Sequence, residues 1–131
     1  MSEENVEVVR RVYEAFDRGD LDAILADLHP DAVVRAHPLG DEGNYKGHEG
    51  FLRFVANWVG QFEDFEQTPE EFVDAGDRVL VRVLQRARGR ESGVPVEAHF
   101  WLVHELKAGR ATKVDLYDNE AEALEAAGLS E

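Results

Sequence analysis

The chain contains no cysteine. Disulfides, thiolate metal sites and cysteine nucleophiles are therefore excluded. No apolar run approaches the ~20 residues that a membrane-crossing helix needs. The first residues, Met-Ser-Glu-Glu-Asn, are acidic and lack the apolar centre of a secretory signal. A cytoplasmic protein with no membrane partner is expected. Lysine is scarce: Lys46, Lys107 and Lys113 are the only three among 14 basic residues, against 28 acidic ones, and the net charge is −14. Such a charge repels phosphate backbones, so nucleic acid is not an expected partner. The acidic, lysine-poor composition fits a salt-adapted host and a GC-rich genome equally well.

The chemistry-bearing residue types are also thinly spread. His29, His37, His48, His99 and His104 show no ligand spacing such as two histidines one helical turn apart, so no metal is expected. Gly40, Gly43 and Gly47 punctuate a loop without the strand-to-helix setting of a phosphate cradle. No serine sits in a nucleophile elbow. No cofactor is implied.

What remains is a chain of 131 residues, 44% apolar, long enough for one domain (residues 1–131) with one substantial core. Val6, Val9, Val12, Tyr13 and Phe16 recur at helical spacing and predict a helix over 3–18, with Gly19 as its stop. Asp20 can cap a second helix, 21–28, which His29-Pro30 ends. A short strand over 32–37 is followed by a glycine-rich loop over 39–47. A third helix follows, 48 to about 62, with Phe51, Leu52, Val55, Trp58, Val59 and Phe62 on its stripe. Strands are expected over 65–73 and 78–88; in the second, Val79, Val81, Val83, Gln85 and Ala87 share a face. A short helix over 119–127 closes the chain.

The most informative stretch runs from Val94 to Asp118. It reads as two strands joined by a turn at Lys107–Arg110. Val94, Val96, Ala98, Phe100, Leu102, His104 and Leu106 share one face, apolar at every second position except His104. On the return strand Val114, Leu116 and Asp118 share a face. An apolar wall thus ends in an imidazole on one strand and a carboxylate on the next. Helices first and meandering strands after predict an α+β domain with helices on one face of a curved sheet.

Several stretches carry a family resemblance: Val-Arg-Arg-Val-Tyr-Glu-Ala-Phe (9–16), Gly-Asp-Leu-Asp (19–22), Tyr-Lys-Gly-His-Glu-Gly (45–50), Phe-Val-Asp-Ala-Gly-Asp-Arg-Val (72–79) and Glu-Ala-Leu-Glu-Ala-Ala-Gly-Leu (122–129). The chain resembles the SnoaL-like branch of the nuclear transport factor 2-like superfamily. The resemblance implies a cone-shaped α+β barrel. Its curved antiparallel or mixed sheet wraps around three N-terminal helices and encloses a pocket. It also implies a homodimer through the outer sheet face, where Leu80, Arg82, Leu84 and Arg86 form a mixed surface. The superfamily hosts many chemistries on one scaffold, so activity must be argued from the site.

The resemblance also nominates site residues. His104 and Asp118 sit at the offsets, around the Gly109-Arg110 turn, of the acid/base histidine and the following aspartate of SnoaL-type polyketide cyclases. A carboxylate in an apolar pocket can exchange a proton near neutrality, and a histidine beside it can donate to an enolate oxygen. The structural alternative is a buried, satisfied His104 and an Asp118 that caps the last helix. His37 stands where ketosteroid isomerases place their proton-abstracting aspartate, but Val12 and Leu102 stand where that pattern needs oxyanion donors. His37 is thus a candidate base or a rim residue. Tyr13 and Trp58 are expected to face the cavity, with Phe16, Phe100, Leu102 and Leu116 completing a ligand-binding wall. The expected function is small-molecule binding with cofactor-independent acid/base catalysis, of isomerase or cyclase type, on an apolar or cyclic ligand. The alternative is a non-catalytic dimeric module with a filled cone.

Overall fold

A computed structural model describes residues 2–129. Helix α1 (Ser2–Arg18) lays its apolar stripe on the sheet, with Val9 and Tyr13 buried. Gly19, at φ 73°, turns the chain, and the Asp20 carboxylate accepts from Ala23 N at 3.1 Å to cap α2 (Leu21–Ala26). Strand β1 (Leu28–Ala36) begins earlier than the apolar pattern indicates. Pro30 favours extended backbone in the residue before it and cannot donate to a ladder; the β1 register accordingly shifts between Leu28 and Val33. A 3-10 segment (His37–Gly43) leads to a short strand β2 (Asn44–Lys46), inside what the sequence reads as loop.

Helix α3 (Gly47–Val59) stops at Gly60, so Phe62 opens β3 (Phe62–Ala75) instead of ending the helix. The long strands β4 (Arg78–Gly89), β5 (Pro95–Lys107) and β6 (Arg110–Tyr117) follow, and α4 (Glu120–Ala126) completes the chain. The β5–β6 turn falls at Ala108 and Gly109, both at positive φ, where the sequence places it. Val94 lies before β5 and is 57% exposed. The wall therefore begins nearer Phe100, because the far end of β5 runs beyond the reach of the helices.

The six strands form one open mixed sheet in the order β2-β1-β6-β5-β4-β3, with β1 and β6 parallel and every other pair antiparallel. Strand alternation separates two cores. On the concave side Val79, Val81, Val83, Leu102, Val114, Leu116 and Val34 pack with α1 and α3. On the convex side Leu80 and Val103 are covered by Ala123 and Ala127 of α4. The fold is the expected α+β class, with the three N-terminal helices inside the curve and α4 outside it.

Candidate functional site

The concave core is not filled. A cavity opens between α1, α3 and the sheet, walled by Val12, Tyr13, Phe16, Phe51, Trp58, Leu102, His104 and Leu116 among others. The cavity measures about 80 Å³, against the ~10–15 Å³ that one ordered water needs. The space therefore suits several waters or one ring-sized molecule, and a larger guest needs side-chain movement.

Within this apolar lining Tyr13 Oη lies 2.9 Å from His104 Nε2, and the rings meet nearly edge-on at 76°. Tyr13 is delivered by the inner face of α1. His104 is delivered by the alternation of β5, paired with Val79 on one side and Val114 on the other. Both are buried, at 6% and 5% exposure. Burial pushes the His104 imidazole down to about 4 and the Tyr13 phenol well above its ordinary value. At neutral pH the pair is uncharged. One hydrogen fills the bond between the rings, and a second N–H or O–H is left over whichever tautomer is adopted. With Nε2 protonated, the spare hydrogen is the Tyr13 O–H, and the pair can then donate to one acceptor oxygen.

A second polar line crosses the wall. Trp58 Nε1 donates to Gln85 Oε1 at 2.9 Å, and Gln85 Nε2 donates to Gln67 Oε1 at 3.0 Å. Asp27 is the one carboxylate among the described cavity-lining residues, and Arg11 holds its Oδ1 at 3.0 Å. Gln67, Gln85 and Asp27 are absent from the sequence-based site. Gln85 carried a usable signal, as a polar residue continuing the Val79, Val81, Val83 face. Asp27 carried none.

Of the residues nominated from sequence, the structure brings His104, Tyr13, Phe16, Trp58, Leu102 and Leu116 together around the cavity. Phe100 does not line it; its ring packs edge-on against Trp58 at 5.2 Å and supports the wall from behind. Asp118 is elsewhere. Strand β6 ends at Tyr117, and Asp118 is exposed beyond it. Nor does Asp118 cap α4: Asn119 does, accepting from Glu122 N at 3.1 Å. His37 is also outside the cone. It lies on the convex side, 2.8 Å from Asp115 Oδ1 and stacked on Tyr117 at 4.4 Å. Arg35 and Lys113 flank the same buried carboxylate at 3.2 and 3.8 Å. Burial, and after it the Asp115 charge, raise the Tyr117 phenol. Val12 lines the cavity, as the isomerase-type register expects, but the α1 side chain that brings a polar group to His104 is its neighbour Tyr13. No group of three His, Asp or Glu side chains fit to hold a metal occurs among the described residues.

The architecture is thus an open, curved mixed sheet laid over helices, with a tyrosine–histidine pair in the cavity between them. Residues 9–114 match the SnoaL-like domain, and the chain belongs to that family. An NTF2-like protein of unknown function from Burkholderia pseudomallei is 28% identical over 93% of this chain and 95% of its own, with a TM-score of 0.78. A putative SnoaL-like polyketide cyclase from Jannaschia is 19% identical over 98% and 94%, TM-score 0.79. TerC, co-crystallised with polyporic acid, is 24% identical over 95% and 98%, TM-score 0.77. Among curated proteins nothing matches.

Proposed function

We propose that the cone binds a neutral, largely apolar small molecule and that the Tyr13–His104 pair holds one of its oxygens. The observation that carries this is the 2.9 Å contact between two uncharged groups in a largely apolar cavity. A donor in such a place gains strength from the low dielectric and stabilises charge developing on a carbonyl oxygen. The reading extends to cofactor-independent acid/base chemistry. His104 and Tyr13 are the electrophilic half, and Asp27 at the cavity is the carboxylate available to move a proton, the part assigned from sequence to Asp118.

Calorimetric titration with small aromatic ketones, read beside the His104 ring resonances in NMR spectra, tests this. Saturable binding that moves the His104 resonances supports the proposal. Binding that leaves them unmoved, or no binding across the series, refutes it. For the chemistry, Asp27→Asn is expected to retain binding and lose turnover of a ligand the wild type converts, and His104→Gln to weaken both.

We further propose a homodimer through the convex face. Trp101 there is half-buried with an indole nitrogen that is buried and without a partner among the described residues, beside the Arg82–Glu70 and His99–Glu70 pairs. Aromatic and arginine side chains in one band are the composition of interface centres. Trp101→Arg is expected to convert a dimer to a monomer in sedimentation velocity; a wild-type monomer at tens of micromolar refutes the dimer.

A further inference from the structure

The line of three polar side chains across the cavity wall has a fixed direction. An indole N–H can only donate. Its partner on Gln85 must therefore be the carbonyl oxygen, which turns the Gln85 NH2 toward Gln67. Gln67 must in turn offer its oxygen, which turns its own NH2 away from the line. Side-chain amide orientation is ordinarily ambiguous; here one donor-only side chain settles two amides. The fold enforces the contact, because Gln67 and Gln85 are direct cross-strand partners on β3 and β4. Gln85 is buried at 6% exposure and bonded at both its oxygen and its nitrogen. The Gln67 NH2 has no protein partner among the described residues.

Gln67 also occupies a particular place. A groove on the surface between α1 and β3 is lined by Arg10, Glu14, Asp17, Thr68, Pro69 and Phe72, together with Tyr13 and Gln67. Tyr13 and Gln67 are the two residues that line both the groove and the interior cavity. The groove and the cavity adjoin at these two side chains. The groove's own charges are Arg10, whose guanidinium lies 4.6 Å over the Phe72 ring, and the carboxylates of Glu14 and Asp17. An anionic guest would meet two carboxylates on a chain of net charge −14.

We infer that the α1–β3 groove is the entrance to the cone and that the Gln67 amide is its specificity-determining donor, selecting uncharged ligands that carry a carbonyl oxygen. This rests on the reading of the cone as a ligand site. Trp58 and Gln85 are positioning residues, acting through Gln67. Hydrocarbons of the same shape leave the donor unpaired, and carboxylates are repelled by Glu14 and Asp17.

The test uses the full chain and two probes of matched shape, acetophenone and ethylbenzene, titrated into the wild type and into Gln67→Glu. Glutamate keeps an acceptor for the Gln85 NH2, so the wall is retained while the outward donor becomes an acceptor. The wild-type ratio of dissociation constants, ethylbenzene over acetophenone, is expected to fall about five- to tenfold in Gln67→Glu, the size of one lost hydrogen bond. Gln67→Leu is expected to lower it in the same direction and serves should the glutamate variant not fold. Both probes binding with a ratio unchanged within about twofold overturns the assignment of Gln67 and leaves the cone as a ligand site. Neither probe binding the wild type overturns both.

Discussion

A histidine held in an apolar wall titrates where its surroundings allow. His104 is neutral in the folded chain down to about pH 4, whereas in the unfolded chain it takes up a proton near its ordinary value of 6.5. Between these values the unfolded state binds more protons, so His104 contributes stability that is complete above pH 6.5 and is lost as pH falls toward 4. The full loss is roughly 3 kcal/mol, at about 1.4 kcal/mol for each pH unit separating the two states. Urea unfolding at steps from pH 7.5 to 4.5 should show wild type losing more stability than His104→Gln, which cannot charge; parallel curves would contradict the burial argument. Tyr13→Phe removes the phenol and leaves a buried imidazole nitrogen unpaired. It should cost about 1–3 kcal/mol in the same assay at pH 7. His104 was legible because a polar residue broke an apolar alternation. Asp118 was not, since strict alternation carries on past the point where β6 ends, and only the three-dimensional end of the ladder shows that it has left the wall.

At the scale of elements, the legible features were those set by local chemistry. Asp20 and Gly19 mark the α1–α2 corner, and Ala108-Gly109 marks the last hairpin, because caps and positive-φ turns are decided within a few residues. The features missed were decided at a distance. Strand β2 exists because Asn44–Lys46 pair with Val33–Arg35, and His37 sits on the convex side because β1 ends against β6 with Asp115 within reach. The 3-10 segment between them folds back on itself so closely that a Cβ on Gly43 would strike the Ala36 carbonyl. Gly43→Ala must therefore displace backbone, and it should destabilise by about 1–3 kcal/mol, the scale of overpacking a fitted site. Asn119→Ala removes the α4 cap and should cost about 1 kcal/mol. The two differ in location. Hydrogen exchange should rise around β2 in the glycine variant, and over α4 and the Leu80–Val103 cluster beneath it in the asparagine variant.

For the whole molecule, charge sets the response to salt. Surface pairs such as Arg82–Glu70, Arg86–Glu97 and Arg10–Glu7 are exposed enough to be worth ~0–1 kcal/mol each, and salt weakens them. Against this stands an excess of 14 acidic charges that no pairing within the chain can neutralise. At ~10 mM salt the Debye length is ~30 Å, comparable to the domain, so these charges repel one another across the molecule; at ~1 M it is ~3 Å and the repulsion is screened. Repulsion wins because even if every basic residue were paired, half of the 28 acidic ones would remain. The melting temperature should therefore rise between about 20 mM and 500 mM sodium chloride. The proposed dimer sharpens the contrast, since joining two copies doubles the −14 of one chain while the convex face presents Arg82 and Arg86 already matched to Glu70 and Glu97. The dimer dissociation constant, measured by sedimentation velocity across the same salt range, should fall as salt rises. A constant that instead climbs with salt would mean that ion pairs formed between the two copies outweigh their net repulsion, and it would shift the interface away from the aromatic band around Trp101 and toward the arginines beside it.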